Sequence, residues 1–295
     1  MSDRSEKGNS PRDSPEEQYA KKQFGLLLYR LRQLPGVSRA KVQSAIADIL
    51  LHETYAIDTG AGSLSFVLLG KVAAGRALSL LTKQPATIQW IDSFQPDSVF
   101  LDVGANVGIY TLYAALGGRA RVVAFEPAAV NYFLLAANCE ANKVSHRVDC
   151  LLAGLGGGQG ISRFEVSQFS PAGSFSVHSG PREPHHNQQT AFVVSMDALV
   201  EEYQLPCPNY IKIDAPGMSE SIIAGGLQVL QRPELREVHI ELREQSKGGP
   251  RITEMLERCG LSIAVRHEHG GGSADLTFAR AGSRRTTGSD NGGSG

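Results

Sequence analysis

The chain has 295 residues, 41% hydrophobic and 20% charged, with a formal net charge of -1, which is enough apolar material for one large α/β core or one core with a small helical appendage. That near-neutral balance, without a Lys/Arg block, excludes a general electrostatic pull toward nucleic acid or an anionic membrane, and no run reaches the roughly 18 consecutive apolar residues of a membrane-spanning helix. Four cysteines, Cys139, Cys150, Cys207 and Cys259, are scattered without C-x-x-C spacing, which suits reduced thiols with packing roles in a cytoplasm.

Residues 1–18 offer almost nothing apolar and read as disordered, and the first 23 residues lack the apolar core of an export signal. Residues 19–95 read as an N-terminal extension of helices and strands. Within it, Phe24, Leu27, Leu28 and Leu31, and then Val42, Ile46, Ile49 and Leu50, recur at helical spacing. Residues 55–70 predict a strand or hairpin leading into a helix near 72–82, and "TIQWI" predicts a helix that packs Trp90, the only tryptophan.

From residue 96 to 280 the rhythm is that of one domain in which short apolar strands alternate with helices. The strands are "VFLDV" (99–103), "RVVAFE" (121–126), "RVDCLLA" (147–153), "NYIKID" (209–214) and "EVHIEL" (237–242), with helices expected near 107–116, 128–141, 219–231 and 251–259. Runs apolar on both faces, each trailed by a helix, imply a mostly parallel sheet wound on both sides. "LSIAVRHE" and "ADLTFAR" around "HGGGS" predict a C-terminal antiparallel hairpin, and residues 281–295 read as a disordered tail.

Ligands of such sheets bind outside the carboxyl ends of the strands, where "FLDVGANVGIYT" (100–111) lies. Gly104 and Gly108 permit a sharp turn and close approach to a ligand. A dinucleotide site would continue G-x-G-x-x-G, but Asn106 and Ile109 stand at the glycine positions, and no Y-x-x-x-K helix supports a nicotinamide-dependent oxidoreductase. S-adenosylmethionine fits better: Asp102 can accept from the ammonium of its methionine part, and Glu126, ending the second strand, can accept both ribose hydroxyls. Purely structural alternatives are an acid complementing a helix dipole for Asp102 and a solvated strand end for Glu126. On the ligand reading, Glu126→Ala weakens donor binding without unfolding the protein.

"DVGANVG", "VVAFEP", "SMDALV", "YIKIDAPG" and "IIAGG" together resemble the FkbM-type S-adenosylmethionine-dependent methyltransferases over roughly residues 66–245. The resemblance implies a Rossmann-like class I methyltransferase fold, α/β, with a seven-stranded sheet ending in a reversed strand. It also implies O-methylation of a saccharide, glycolipid or secondary-metabolite hydroxyl. By position it implies donor contacts at Asp102, Gly104, Asn106, Gly108 and Glu126, with the turn at Leu152 and Ala153 near the adenine. Where the family reads K-I-D-x-E-G-x-E, this chain has "KIDAPGMSE", so Pro216 and Ser219 replace two glutamates. Glu220 is one residue late, about 100° around a helix, and is not assumed to substitute.

Lys212 and Asp214 remain, and Asp214 is the first candidate to orient the acceptor or take its proton. Glu241, sharing a strand face with His239, is the second, as part of an acceptor pocket. The departure at Pro216 and Ser219 leaves a donor-binding or interaction module without turnover as the alternative to an enzyme. Asp197 reads equally as a helix cap or a ligand contact. His178, His185 and His186 lie in a polar loop over 167–190 and lack the spacing of a metal site; no metal is expected. A nucleic-acid methyltransferase is disfavoured by the charge balance and by the lack of an N/D-P-P-Y/F tetrapeptide.

Overall fold

The computed structural model describes residues 14–36, 38–166, 172–173, 175–177, 188–242, 248–269 and 272–282. The chain divides into two compact units, residues 1–53 and 54–295.

Among the described residues the first unit contains two helices, α1 (Pro15–Arg32) and α2 (Arg39–His52). Helix α1 starts earlier than a disordered segment to residue 18 allows, because "SPEE" is a start signal. Ser14 Oγ accepts from Glu17 N at 3.2 Å, Ser14 N donates to Glu17 Oε2 at 2.6 Å, and Pro15 occupies the first turn. Residues 1–13 and 283–295, expected to be disordered, lie outside the described residues.

The second unit opens with the hairpin β1 (Thr54–Thr59) and β2 (Gly62–Val67), then helices α3 (Lys71–Leu78), α4 (Leu80–Lys83) and α5 (Pro85–Asp92). Residues 54–95, read from sequence with the helices before them, belong by their packing to the main core: Leu64, Phe66, Ile91 and Phe94 are buried against Phe100 of the first central strand. Trp90 is buried as expected, stacked on His239 with ring centroids 4.8 Å apart and donating from Nε1 to Glu237 Oε2 at 2.6 Å.

Then follow β3 (Ser98–Val103), α6 (Ile109–Leu116), β4 (Ala120–Phe125), α7 (Ala129–Ala141) and β5 (Val148–Leu151). After β5 the chain forms β6 (Gly154–Leu155), β7 (Gly160–Val166), β8 (Phe175–Val177) and β9 (Gln188–Val194), an accessory sheet in the order β6-β9-β7-β8. Part of it occupies the region read as a polar loop. Helix α8 (Met196–Glu201) leads to β10 (Tyr210–Ile213). The single helix expected over 219–231 is two, α9 (Ser219–Ala224) and α10 (Leu227–Gln231), interrupted at Gly225 and Gly226. The chain closes with β11 (Glu237–Leu242), α11 (Gly249–Arg258), β12 (Leu261–His269) and β13 (Ser273–Arg280).

Among the described residues the main sheet has seven strands in the order β12-β13-β11-β10-β3-β4-β5. Strands β11, β10, β3, β4 and β5 pair in parallel, and β13 lies antiparallel between β11 and β12. This is the doubly wound, Rossmann-like α/β arrangement with a reversed terminal strand. Alternate residues serve separate cores. Leu101, Val103, Ile211 and Ile213 join one with the helices α8 to α11, while Phe100, Val122, Ala124 and Tyr210 join the other with α5, α6 and α7.

The second face carries a polar row across four strands. Asp102 pairs with Lys212, Lys212 with His239 and His239 with Thr277, and all four are at most 3% exposed. Among the described residues no helix is long and apolar enough to cross a membrane.

Candidate active site

The loop from β3 to α6 is pinned from below. Gly104 N and Ala105 N both donate to Phe125 O, at 2.9 and 3.0 Å. The loop then passes through left-handed conformations at Gly104, Asn106 and Gly108, with φ of 80°, 55° and 87°. The two glycines are demanded by the protein itself: a Cβ on Gly104 would stand 2.1 Å from the backbone oxygen of Asp214, and one on Gly108 would stand 2.6 Å from Leu135 Cδ1. The glycine spacing therefore packs the loop against β10 and α7, and α6 starts at Ile109, two residues later than expected.

Glu126 is not a solvated strand end. It is fully buried, and its carboxylate accepts from Asn106 N at 2.8 Å, Ala128 N at 2.9 Å and Asn131 Nδ2 at 3.4 Å. Burial pushes its pKa up to about 7 against these hydrogen bonds, which favour the ionised form. Asn106 and Asn131 also both donate to Gly173 O, at 3.4 and 3.1 Å, and Asn131 Oδ1 accepts from Ala172 N at 2.8 Å. Residues 172 and 173 are thus tied to the groups that hold Glu126. The carboxylate's own oxygens are already taken by Asn106 N, Ala128 N and Asn131 Nδ2.

Asp102 is also fully buried. Oδ2 accepts from Thr111 Oγ1 at 2.7 Å, whereas Oδ1 has no hydrogen-bond partner among the described residues and lies 3.6 Å from Lys212 Nζ. A buried carboxylate oxygen left in this way is a place for an ammonium or a water at the loop, so the residues present fit the methionine end of S-adenosylmethionine. Lys212 Nζ is also 3.6 Å from Asp214 Oδ2 and 5.0 Å from the centre of the Tyr110 ring. Tyr110 donates to Gln84 Oε1 at 2.5 Å, and burial, with Asp214 next, pushes its hydroxyl above the ordinary phenol range. A 30 Å³ recess runs between Arg76, Gln84, Tyr110 and Asp214.

On the other side of Asp214, beyond the carboxyl ends of β10 and β11, a cavity of 510 Å³ is lined by Asp214, Pro216, Ser219, Glu220 and Glu241, among others. The structure therefore brings both proposed acceptor residues to one cavity, with the short side chains of Pro216 and Ser219 on its wall. Glu220 is half-buried and lies 3.4 Å from Arg251.

The remaining candidates separate clearly. His239 is sealed in the interior, its ring nitrogens 3.1 Å from Thr87 Oγ1 and 3.0 Å from Thr277 Oγ1, so it does not accompany the exposed Glu241. Ala153 lies half-buried in the turn between β5 and β6, beside the exposed Leu152. Asp197 caps a helix other than its own: its carboxylate accepts from Gln228 N and Val229 N at the start of α10, with closest distances of 3.1 and 2.9 Å. Asp197→Ala should lower stability by about 1 kcal/mol with donor affinity unchanged, as checked by urea denaturation and a donor titration. His178, His185 and His186 lie outside the described residues.

Asn131 and Asn138 were not singled out from sequence. Asn138 Oδ1 accepts from Val67 N and its Nδ2 donates to Val107 O, both at 2.8 Å, tying hairpin β1-β2 to the loop. The only signal was two polar residues on an otherwise buried face of α7.

Residues 102–263, more than half of the chain, match the family described as the methyltransferase FkbM domain. Over 59% of its length the chain is 27% identical to the hexuronic acid methyltransferase AglP of Haloferax volcanii, covering 68% of that protein. It is 24% identical to the 31-O-demethyl-FK506 methyltransferase FkbM of Streptomyces tacrolimicus, covering 76% of it over 59% of this chain. A further match, 39% identical over 59% of the chain, spans only 10% of the AMB antimetabolite synthetase AmbE of Pseudomonas aeruginosa.

Proposed function

Because the chain belongs to the FkbM methyltransferase family, whose methyl donor is S-adenosylmethionine, we propose that it methylates a hydroxyl group of a saccharide, glycolipid or secondary-metabolite acceptor. The observation that carries this reading is the 510 Å³ cavity with Asp214 and Glu241 on its wall, placed where Asp214 also joins the donor-side acid Asp102 through Lys212. The names of the hexuronic acid and 31-O-demethyl-FK506 enzymes support an oxygen acceptor. The net charge of -1 favours a small or glycan acceptor over nucleic acid. The four free thiols are in keeping with a cytoplasmic reaction.

When bound, S-adenosylmethionine supplies a methyl group already activated by its sulfonium charge. The protein's part is alignment and one proton. In this reading the loop after β3 fixes the donor, Asp102 faces its ammonium, Asp214 takes the acceptor proton as the carbon–oxygen bond forms, and Glu241 orients the acceptor from the neighbouring strand.

The test is Asp214→Asn beside wild type, with titration by S-adenosylhomocysteine and transfer of a labelled methyl group to a panel of hydroxylated saccharides. Donor affinity should hold while transfer slows by about 100-fold. Equal transfer by both proteins removes Asp214 from catalysis. Donor binding with no transfer by wild type to any acceptor favours the second reading, a donor-binding module, which Pro216 and Ser219 in place of the family glutamates support.

A further inference from the structure

Cys139 on α7 and Cys150 on β5 bring their sulfurs to 3.8 Å, although nothing in their spacing marks them as a pair. A disulfide needs about 2.0 Å, so closure requires an approach of under about 2 Å. The strand that would move is able to do so: among the described residues β5 is the edge of the main sheet and is laddered only to β4. Cys139 is buried and Cys150 half-buried, so Cys150 is the sulfur an oxidant reaches first.

We propose that Cys139 and Cys150 form an oxidisable dithiol whose closure to a disulfide weakens donor binding at the loop after β3; the second half rests on the donor-site reading above. The contact between the sulfurs pulls Cys150 below the ordinary thiol range against the opposing effect of burial, and pushes Cys139 up, with burial adding to the rise. Cys150 is accordingly the nucleophile. With hydrogen peroxide as oxidant, the Cys150 thiolate attacks one peroxide oxygen, breaking the O–O bond to give a sulfenic acid and, after protonation, water. The Cys139 sulfur then attacks that sulfenic sulfur, forming the S–S bond and releasing a second water. Two thiols lose two electrons and two protons, and peroxide is reduced to two waters.

The link to the donor site is one residue long. The carbonyl of Leu151, next to Cys150, accepts from Glu126 N at 3.1 Å, and the Glu126 carboxylate holds Asn106 N and Ala128 N. Drawing β5 toward α7 therefore pulls on the anchor of the donor loop. It also shifts Leu152 and Ala153, which follow directly in the chain.

The experiment compares the reduced full chain with the chain treated with hydrogen peroxide, reading cross-linked peptides by mass spectrometry and affinity by S-adenosylhomocysteine titration. The expected result is a Cys139–Cys150 cross-link, a dissociation constant raised about tenfold or more, and recovery on reduction with dithiothreitol. Cys150→Ser should bind as the reduced wild type does and ignore peroxide. Oxidation of Cys207 without a Cys139–Cys150 cross-link overturns the dithiol. A cross-link with unchanged affinity overturns the coupling. If the reduced protein itself fails to bind, the donor reading fails and the coupling with it, while the mass of the cross-linked peptide still decides the dithiol.

Discussion

Gly104→Ala should lower the thermal unfolding midpoint by about 10 °C and abolish measurable donor binding. The added Cβ would meet the backbone oxygen of Asp214 at 2.1 Å, and the residue would also have to keep a φ of 80°. A left-handed alanine costs about 1–2 kcal/mol and overpacking adds about 1–3 kcal/mol. The obstacle is a backbone carbonyl one residue beyond the end of β10, so no flexible side chain can swing away to make room. Thermal denaturation with S-adenosylhomocysteine titration checks both halves. A stable variant with wild-type affinity would show that β3 and β10 can separate at this point without harm.

The second large effect concerns Glu126. Its side chain is fully buried, its pKa is raised from 4.5 to about 7, and burial is the principal cause. Because the folded chain holds this proton more tightly than the unfolded chain, the group's contribution to stability is fully present below about pH 4.5. It is lost as pH rises through about 7. The shift corresponds to about 3 kcal/mol. Measured against Glu126→Gln, which cannot ionise, wild type should therefore lose stability by roughly that amount between pH 4.5 and 8 in urea denaturation; a flat difference would mean that the carboxyl is solvated.

Glu126→Ala should weaken donor binding by about tenfold or more, since Asn106 N and Ala128 N lose their acceptor. Contrary to the expectation from sequence, it should also destabilise the chain, because buried donors left unpaired cost about 1–3 kcal/mol each.

The contrast at Glu126 shows where sequence reading succeeds and where it stops. Strands β3, β4, β10 and β11 were legible because each is a short run apolar on both faces, and the motif around Gly104 placed the loop correctly at their carboxyl ends. The accessory sheet was not, although Ile161 to Glu165 pair residue by residue with Gln188 to Phe192. Its two main strands are separated by a long polar stretch, and local pattern carries no information about which distant strand completes a ladder. Helices α9 and α10 were merged because glycine is tolerated inside a helical pattern as well as at its end. At the site, residue types were recoverable and partners were not. Gly104 answers to Asp214, Gly108 to Leu135 and Glu126 to Asn131, and only folding creates these neighbours.

The row of Asp102, Lys212, His239 and Thr277 across the sheet has a consequence for how this protein can change. An ammonium 3.6 Å from two carboxylates cannot be removed alone without leaving a buried charge unbalanced, whereas removing it together with Asp102 takes out both signs at once. The two positions are therefore epistatic. Lys212→Met should be rescued in part by Asp102→Asn, and neither substitution will predict the other's effect by addition. For mutational drift, Asp102 and Lys212, on two neighbouring strands, behave as one locus.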